Sequence, residues 1–380
     1  MILTFLKNPI NLIHIHIGLW NFCNKIVSIF GPIYLLQQGI SLPAVAMVWG
    51  TSFGLRFFLR PLSLWWTQRL GLKPSFILGV IVYAGIFPVL AQVHTIGLWF
   101  WILIFYLAIS DIAYYLPFHS LYAALGDIDS RGSQIAVREI FALTFGIAAP
   151  IVGSFIVITF GYGSLYVVAT IVMLIGVLPL LYIPDFTANT VMGFKEAFKF
   201  IDFRGFWLML GDGIKVQAEA FVWVVTIFFL ATSLSQFGWL IALKLLFVAI
   251  LYLTLGKLVD GGHSKKIFLY GSIGLIFTLI ARAFFVTDVT GIVVAQFILA
   301  FVLVFYQEPF DTLLYNLAKR TKSTLWFHFF GEAGADFGAM IVFFSSAALV
   351  HYGVDIQYVL LVGILSIIVV KPILDRALAP

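Results

Sequence analysis

The sequence predicts an all-α membrane protein, with twelve transmembrane helices in two pseudo-symmetric six-helix bundles. Three observations carry that prediction. The 380 residues are 62% apolar, 17% aromatic and only 10% charged, with a mean hydropathy of +1.08, so too few polar residues exist to clothe a soluble core. Windows of about 20 mainly apolar residues recur along the whole chain, the length a helix needs to cross a bilayer. A shift of 192 residues brings landmarks of the first half onto the second.

The spans are read at about 12–36, 43–66, 75–93, 97–124, 132–159, 162–183, 205–231, 236–256, 266–286, 290–318, 324–350 and 355–373. With the N-terminus in the cytoplasm, every loop Lys and Arg falls inside, from Lys7 through Arg69, Lys73 and Lys265 to Arg376. The outer loops hold no Lys or Arg. That asymmetry sets the orientation, with both termini cytoplasmic. It also accounts for the sequence pI of about 9.1 without invoking nucleic acid. The first stretch carries His14, His16, Asn21, Asn24 and Lys25 and is too long for a signal segment, so it reads as an uncleaved helix. His14 and His16 are expected near the cytoplasmic interface in structural roles. The single cysteine, Cys23, excludes an internal disulfide framework, and no cofactor or metal site is expected.

The division expected is an N-terminal bundle at 1–183, a cytoplasmic linker at 184–204 and a C-terminal bundle at 205–380. Within the linker, GFKEAFKFIDF at 193–203 sets Phe194, Phe198 and Ile201 on one helical face against Lys195, Glu196, Lys199 and Asp202. A helix lying on the membrane surface has this pattern; an irregular linker is the alternative. The repeat pairs Lys73 with Lys265, Phe76 with Phe268 and Gly79 with Gly271. It also pairs Pro117-Phe118 with Pro309-Phe310, and Phe145-Gly146 with Phe337-Gly338.

Between spans 2 and 3 lies LWWTQRLGLK, 64–73; between spans 8 and 9 lies GKLVDGGHSK, 256–265. Both resemble the loop pattern G-x-x-x-D-[RK]-x-G-[RK]-[RK] of the major facilitator superfamily. Arg69, Gly71 and Lys73 fit the first copy, where Leu64 and Gln68 replace the glycine and aspartate. Gly256, Asp260 and Lys265 fit the second, where Gly261 and His263 depart from it. In span 5, GIAAPIVGSF resembles the glycine–proline pattern of family antiporters through Gly146, Pro150 and Gly153. Close helix packing explains those small residues equally well. The resemblance covers the whole chain. It implies a fold in which spans 1, 4, 7 and 10 line a central cavity and two halves rock around a midplane site.

Charge placement agrees with that scheme. Spans 3 and 6 carry no charged residue, and span 9 carries only Arg282, near its outer end, where it could snorkel. At about 1.5 Å per residue, Lys25, Asp111, Glu219 and Glu308 lie roughly 15–20 Å deep, one on each cavity-lining span. Asp212, Lys215 and Glu219 follow i, i+3, i+7 spacing and are expected on one face. Asp111, Tyr115 and His119 align on span 4; Glu308 and Asp311 share a face on span 10, with Gln307 adjacent. The substrate and proton groups expected are therefore Lys25, Asp111, Tyr115, Lys215, Glu219, Glu308 and Asp311. A structural charge ladder is the alternative for span 7.

On span 2, Arg56 and Arg60 stand one turn apart; on span 11, His328, Glu332 and Asp336 form one stripe. Arg56 and Arg60 are expected to pair with Glu332 and Asp336 as a cytoplasmic latch. The alternative is that each charge pairs inside its own half. Arg138, Glu139 and Lys244 are a further candidate contact.

Secondary transport of a small organic solute follows, with proton coupling and export of an amphipathic or cationic compound as the leading reading. Uptake of a sugar, amino acid or organic acid is the close alternative, and a lipid flippase on the same scaffold is a third. The partners expected are lipids, the solute and a coupling ion, with the chain a monomer. No GxGD, GxSx or HExxH arrangement suggests an intramembrane enzyme, and no nucleotide-binding motif suggests ATP hydrolysis.

Overall fold

The protein is described here from a computed structural model, which covers residues 8–126, 131–184, 202–259, 264–321 and 324–377. The expected surface helix at 193–203 lies, up to residue 201, outside the described residues, as do Asp260 and the side chains of Glu308 and Lys265.

Ten described segments are helical, long and apolar enough to cross a bilayer. The longest, Val137–Leu181, is two helices, because the backbone turns at Gly161 (φ 81°, ψ 170°), a conformation that glycine adopts without strain. Residues 9–37 add a further helix, built of three pieces: Pro9–Lys25, a π-helical turn Ile26–Phe30, and Gly31–Gln37. The total is twelve. We number them α1 (9–37), α2 (Leu42–Leu70), α3 (Leu72–Ala91), α4 (Leu98–Leu125), α5 (131–160) and α6 (162–181). The second set is α7 (Phe203–Leu230), α8 (Leu234–Val259), α9 (Ser264–Phe285), α10 (Val289–Arg320), α11 (Thr324–His351) and α12 (356–377). The chain is an integral membrane protein.

Local chemistry sets the helix ends. Asn8 caps α1, its side chain accepting from Ile10 N at 3.2 Å, and Pro9 occupies the first turn, where no amide is needed. Asp288 caps α10 through Gly291 N at 2.7 Å. Asp202 caps α7 through Arg204 N at 3.0 Å. Burial alone would push the Asp202 carboxyl up, but its hydrogen bonds and ion pair with Arg204 outweigh that and hold it below the usual carboxylate range.

Two compact units emerge: Met1–Ile40 with Leu55–Val191, and Ser41–Gly54 with Met192–Pro380. The first half of α2 thus groups with the C-terminal bundle, which departs from the expected boundary at 184. Small and aromatic residues account for this grouping. A Cβ at Gly50 would come within 3.0 Å of Phe343 and Phe344, and Phe53 stacks on Phe343 at 5.6 Å.

Inside each unit the repeat is physical. The π-turn of α1 at 26–30 recurs 192 residues later in α7, at 218–222. Gly161 and Gly353, the same distance apart, both have positive φ. In the first unit Gly79 lets α3 approach α4 so closely that a Cβ would stand 2.3 Å from the Ala113 carbonyl. In the second, Gly271 does the same for α9 and α10, with the Phe305 backbone at 2.7 Å. Each contact is flanked by a matching aromatic trio: Phe76, Tyr114 and Phe118, then Phe268, Tyr306 and Phe310.

Candidate functional site

The first unit gathers its polar groups around α4. Arg56 Nη1 of α2 donates to Asp111 Oδ2 at 2.9 Å, with 8% and 22% of the two side chains exposed. The same guanidinium lies 5.1 Å from the centre of the Tyr115 ring, one turn further along α4, where a cation is attracted to the π face. Arg56, expected in a latch with α11, is thus bonded inside its own unit. Tyr115 stacks at 6.0 Å on His119, as the aligned face of span 4 required. Trp20 of α1 lies flat on Tyr114 at 5.0 Å and edge-on to Tyr115 at 5.8 Å. Nearby, Tyr83 donates to Asn24 Oδ1 at 2.9 Å, tying α3 to α1 just before Lys25 and the π-turn.

His16 is a structural tie, but a buried one, with no exposed side-chain surface. Its Nδ1 donates to the Gly176 carbonyl at 2.8 Å, and its Nε2 lies 3.1 Å from the Tyr114 hydroxyl. His14 is 1% exposed. Both are buried together with their apolar neighbours Ile13 and Ile17.

The second unit carries two polar clusters along α7, each with its own partners. Lys215 Nζ donates to Asp212 Oδ1 at 2.6 Å and also to Gln307 Oε1 of α10. Gln307 Nε2 donates in turn to Asp311 Oδ1 at 2.9 Å. The ammonium lies 5.2 Å from the Tyr306 ring centre and 5.6 Å from that of Phe310. Asp212, Lys215 and Asp311 therefore share one network. Gln307, noted in the sequence only as a neighbour of Glu308, is its bridge.

Glu219 belongs elsewhere. Its Oε1 accepts from Arg282 Nη1 of α9 at 2.5 Å and its Oε2 from Lys244 Nζ of α8 at 2.8 Å. The i, i+3 pair Asp212–Lys215 obeys straight-helix spacing, but the π-turn starting at Ala218 lengthens the next turn and carries Glu219 off that stripe. Arg282 does not snorkel: it is fully buried, with Trp223 against its guanidinium at 4.1 Å. Lys244 and the pair Arg138–Glu139 (2.5 Å) each bond within their own units.

Arg60 and Asp336 are buried and Glu332 is half-buried. Arg69 stacks on Trp65 at 4.3 Å, Gly71 turns the chain with φ 87°, and Lys73 Nζ donates to the Leu181 carbonyl at the end of α6, 3.0 Å away. Lysine there meets the negative end of a helix. In α5, Gly153 leaves room for Phe30, whose ring a Cβ would meet at 2.4 Å, whereas Gly146 faces open space. Gly256 lies in α8.

No protein-family model matches the chain, and no curated protein matches its sequence. Among solved structures, the nucleoside transporter NupG is 16% identical, with a TM-score of 0.67 over 97% of this chain and 98% of its own. The POT family transporter PepTSo is 11% identical, with a TM-score of 0.73 over 97% of this chain and 98% of its own. Both are major facilitator superfamily transporters, and the chain shares their fold.

Proposed function

We infer that the chain is a secondary active transporter that carries a small organic solute by alternating access, coupled to protons and working in the export direction. The observation that carries this reading is the pairing of ionic groups deep in the helices of a transporter fold. Arg56 and Asp111 lie beside Tyr115 in one unit; Asp212, Lys215, Gln307 and Asp311 form a network in the other. Buried ion pairs contribute little or nothing to stability against an apolar substitute, so ones that persist in hydrocarbon suggest a use for their charge.

Asp111 and Asp311 are the carboxylates proposed to take up the proton, since neutralising either would release a neighbouring group for the solute. Tyr115, Lys25, Lys215 and Glu308 are proposed to contact the solute. Arg60, Glu332 and Asp336 are assigned to gating, Arg69, Gly71, Lys73, Gly256, Asp260 and Lys265 to conformational control, and Pro150 and Gly153 to packing around α5. Uptake of an organic anion is the second reading, favoured by Lys215 with its aromatic surround.

The test is solute counterflow in proteoliposomes with an internal pH dye. Nucleosides, the solute class in the name of one similar structure, come first, followed by organic cations and organic acids. Solute entry should move protons: lumenal alkalinisation marks antiport, acidification marks symport. Asp111→Asn should abolish proton movement while leaving solute exchange. Absence of counterflow across all these classes would overturn the reading.

A further inference from the structure

The Glu219 cluster has an unbalanced charge. One carboxylate holds two cations, Arg282 and Lys244, and the exposures of the three side chains are 11%, 0% and 14%. A guanidinium stays protonated in any protein setting. The cluster therefore carries a formal excess of one positive charge among apolar helices, where an unmatched charge is costly.

The second observation lies on Arg282 itself. Only its Nη1 donates to Glu219, while Nε and Nη2 are fully buried and have no hydrogen-bond partner among the described residues. Those two nitrogens form the side edge of the guanidinium, where two N–H bonds run parallel. That edge matches the two oxygens of a carboxylate, or a single halide seated between the donors. Trp223 lies over a face of the group at 4.1 Å, so an anion would meet the in-plane edge. The indole also dries the site, which strengthens any ionic contact made there.

We propose that Arg282 and Lys244 form a binding site for a small monovalent anion, a halide or a carboxylate group, inside the second unit. The Nε/Nη2 edge of Arg282 grips the anion and Lys244 supplies the second positive charge. Glu219 holds the two cations together and competes with the anion for them. The site is separate from the Lys215 network, because Lys215 meets α10 whereas Glu219 meets α8 and α9.

The test titrates sodium chloride or sodium acetate into the purified full-length protein in sodium sulfate buffer at constant ionic strength, sulfate being divalent and outside the proposed class. Thermal stability and tryptophan fluorescence are read together, and Trp223→Phe identifies the part of the fluorescence signal that arises at the cluster. Saturable stabilisation at millimolar anion is expected. Saturation by both salts assigns a general small-anion site, and saturation by acetate alone assigns a carboxylate site. Arg282→Gln should abolish the response and Lys244→Gln should weaken the apparent affinity at least tenfold. Glu219→Gln should tighten it at least tenfold, by removing the internal competitor. Should Arg282→Gln fail to fold, the opposite shifts of Lys244→Gln and Glu219→Gln carry the test. An unsaturable response, or equal affinity in the wild type and those two variants, would overturn the proposal.

Discussion

Arg56 and Asp111 show what a membrane protein does with charge at the scale of one residue. Their contact at 2.9 Å, with both side chains largely buried, couples the burial of each to the other. Removing one takes a close counter-charge from a buried ion, at a cost of up to about 3–5 kcal/mol, whereas removing both leaves two neutral groups and a smaller loss. Arg56→Gln and Asp111→Asn should therefore each lower the thermal midpoint of the purified protein clearly. The double variant should recover most of that loss; additive losses would mean that the pair is not coupled. Depth alone singled out Asp111 in the sequence, since a carboxylate near the middle of an apolar span is rare. Its partner was not legible, because which arginine a carboxylate meets depends on the rotation of α2 about its own axis. The same limit applies to Glu219. Straight-helix spacing put it with Asp212 and Lys215, and the spacing failed at the first residue past Ala218, where the backbone widens. Nothing in AEAFV announces a π-turn except its counterpart IVSIF 192 residues earlier, an equivalence visible only once both turns are seen.

At the scale of helices, the repeat becomes a statement about packing. Without a hydrophobic force between helices in lipid, close approach depends on small residues at the contact. Gly79 and Gly271 stand at equivalent places and face equivalent backbones, Ala113 and Phe305. Backbone cannot give way as a side-chain tip can. Gly79→Ala and Gly271→Ala should each force their helix pair apart and cost about 1–3 kcal/mol of stability. Gly146→Ala is the control: nothing lies within 4 Å of its Cβ position, so it should be neutral or stabilising by up to about 1 kcal/mol through helix propensity. Thermal midpoints of the three variants read the difference directly, and equal losses in all three would contradict the packing account. Spans were the most legible feature of the chain, because about 20 apolar residues admit few other fates. Span 10, read at 290–318, is the helix Val289–Arg320, and span 4, read at 97–124, is Leu98–Leu125. The GIAAPIVGSF motif was only half informative: Gly153 is a packing glycine against Phe30, whereas a Cβ at Gly146 would meet nothing within 4 Å among the described residues.

For the whole molecule, two kinds of order are superimposed: a 192-residue repeat that makes the halves alike, and a charge asymmetry that makes the two faces of the membrane unlike. The first is written in aromatic and glycine positions, the second in loops. Because Lys and Arg next to a span resist translocation, their concentration on one side predicts which side is cytoplasmic. The loop sites Thr95 and Thr287 would then face outward and Gln68, at the end of α2 beside Arg69, inward; all three are exposed. Cys23 is buried against the Ala169 carbonyl, so replacing it by serine leaves a clean background for labelling. Thr95→Cys and Thr287→Cys in that background should react with an impermeant maleimide applied to intact cells. Gln68→Cys should react only after the membrane is opened. The inverse pattern would reverse the orientation, and with it the direction of every solute movement inferred above. Labelling of Thr95 without Thr287 would be the more serious result, since an even number of spans between those two sites is what the six-helix repeat requires.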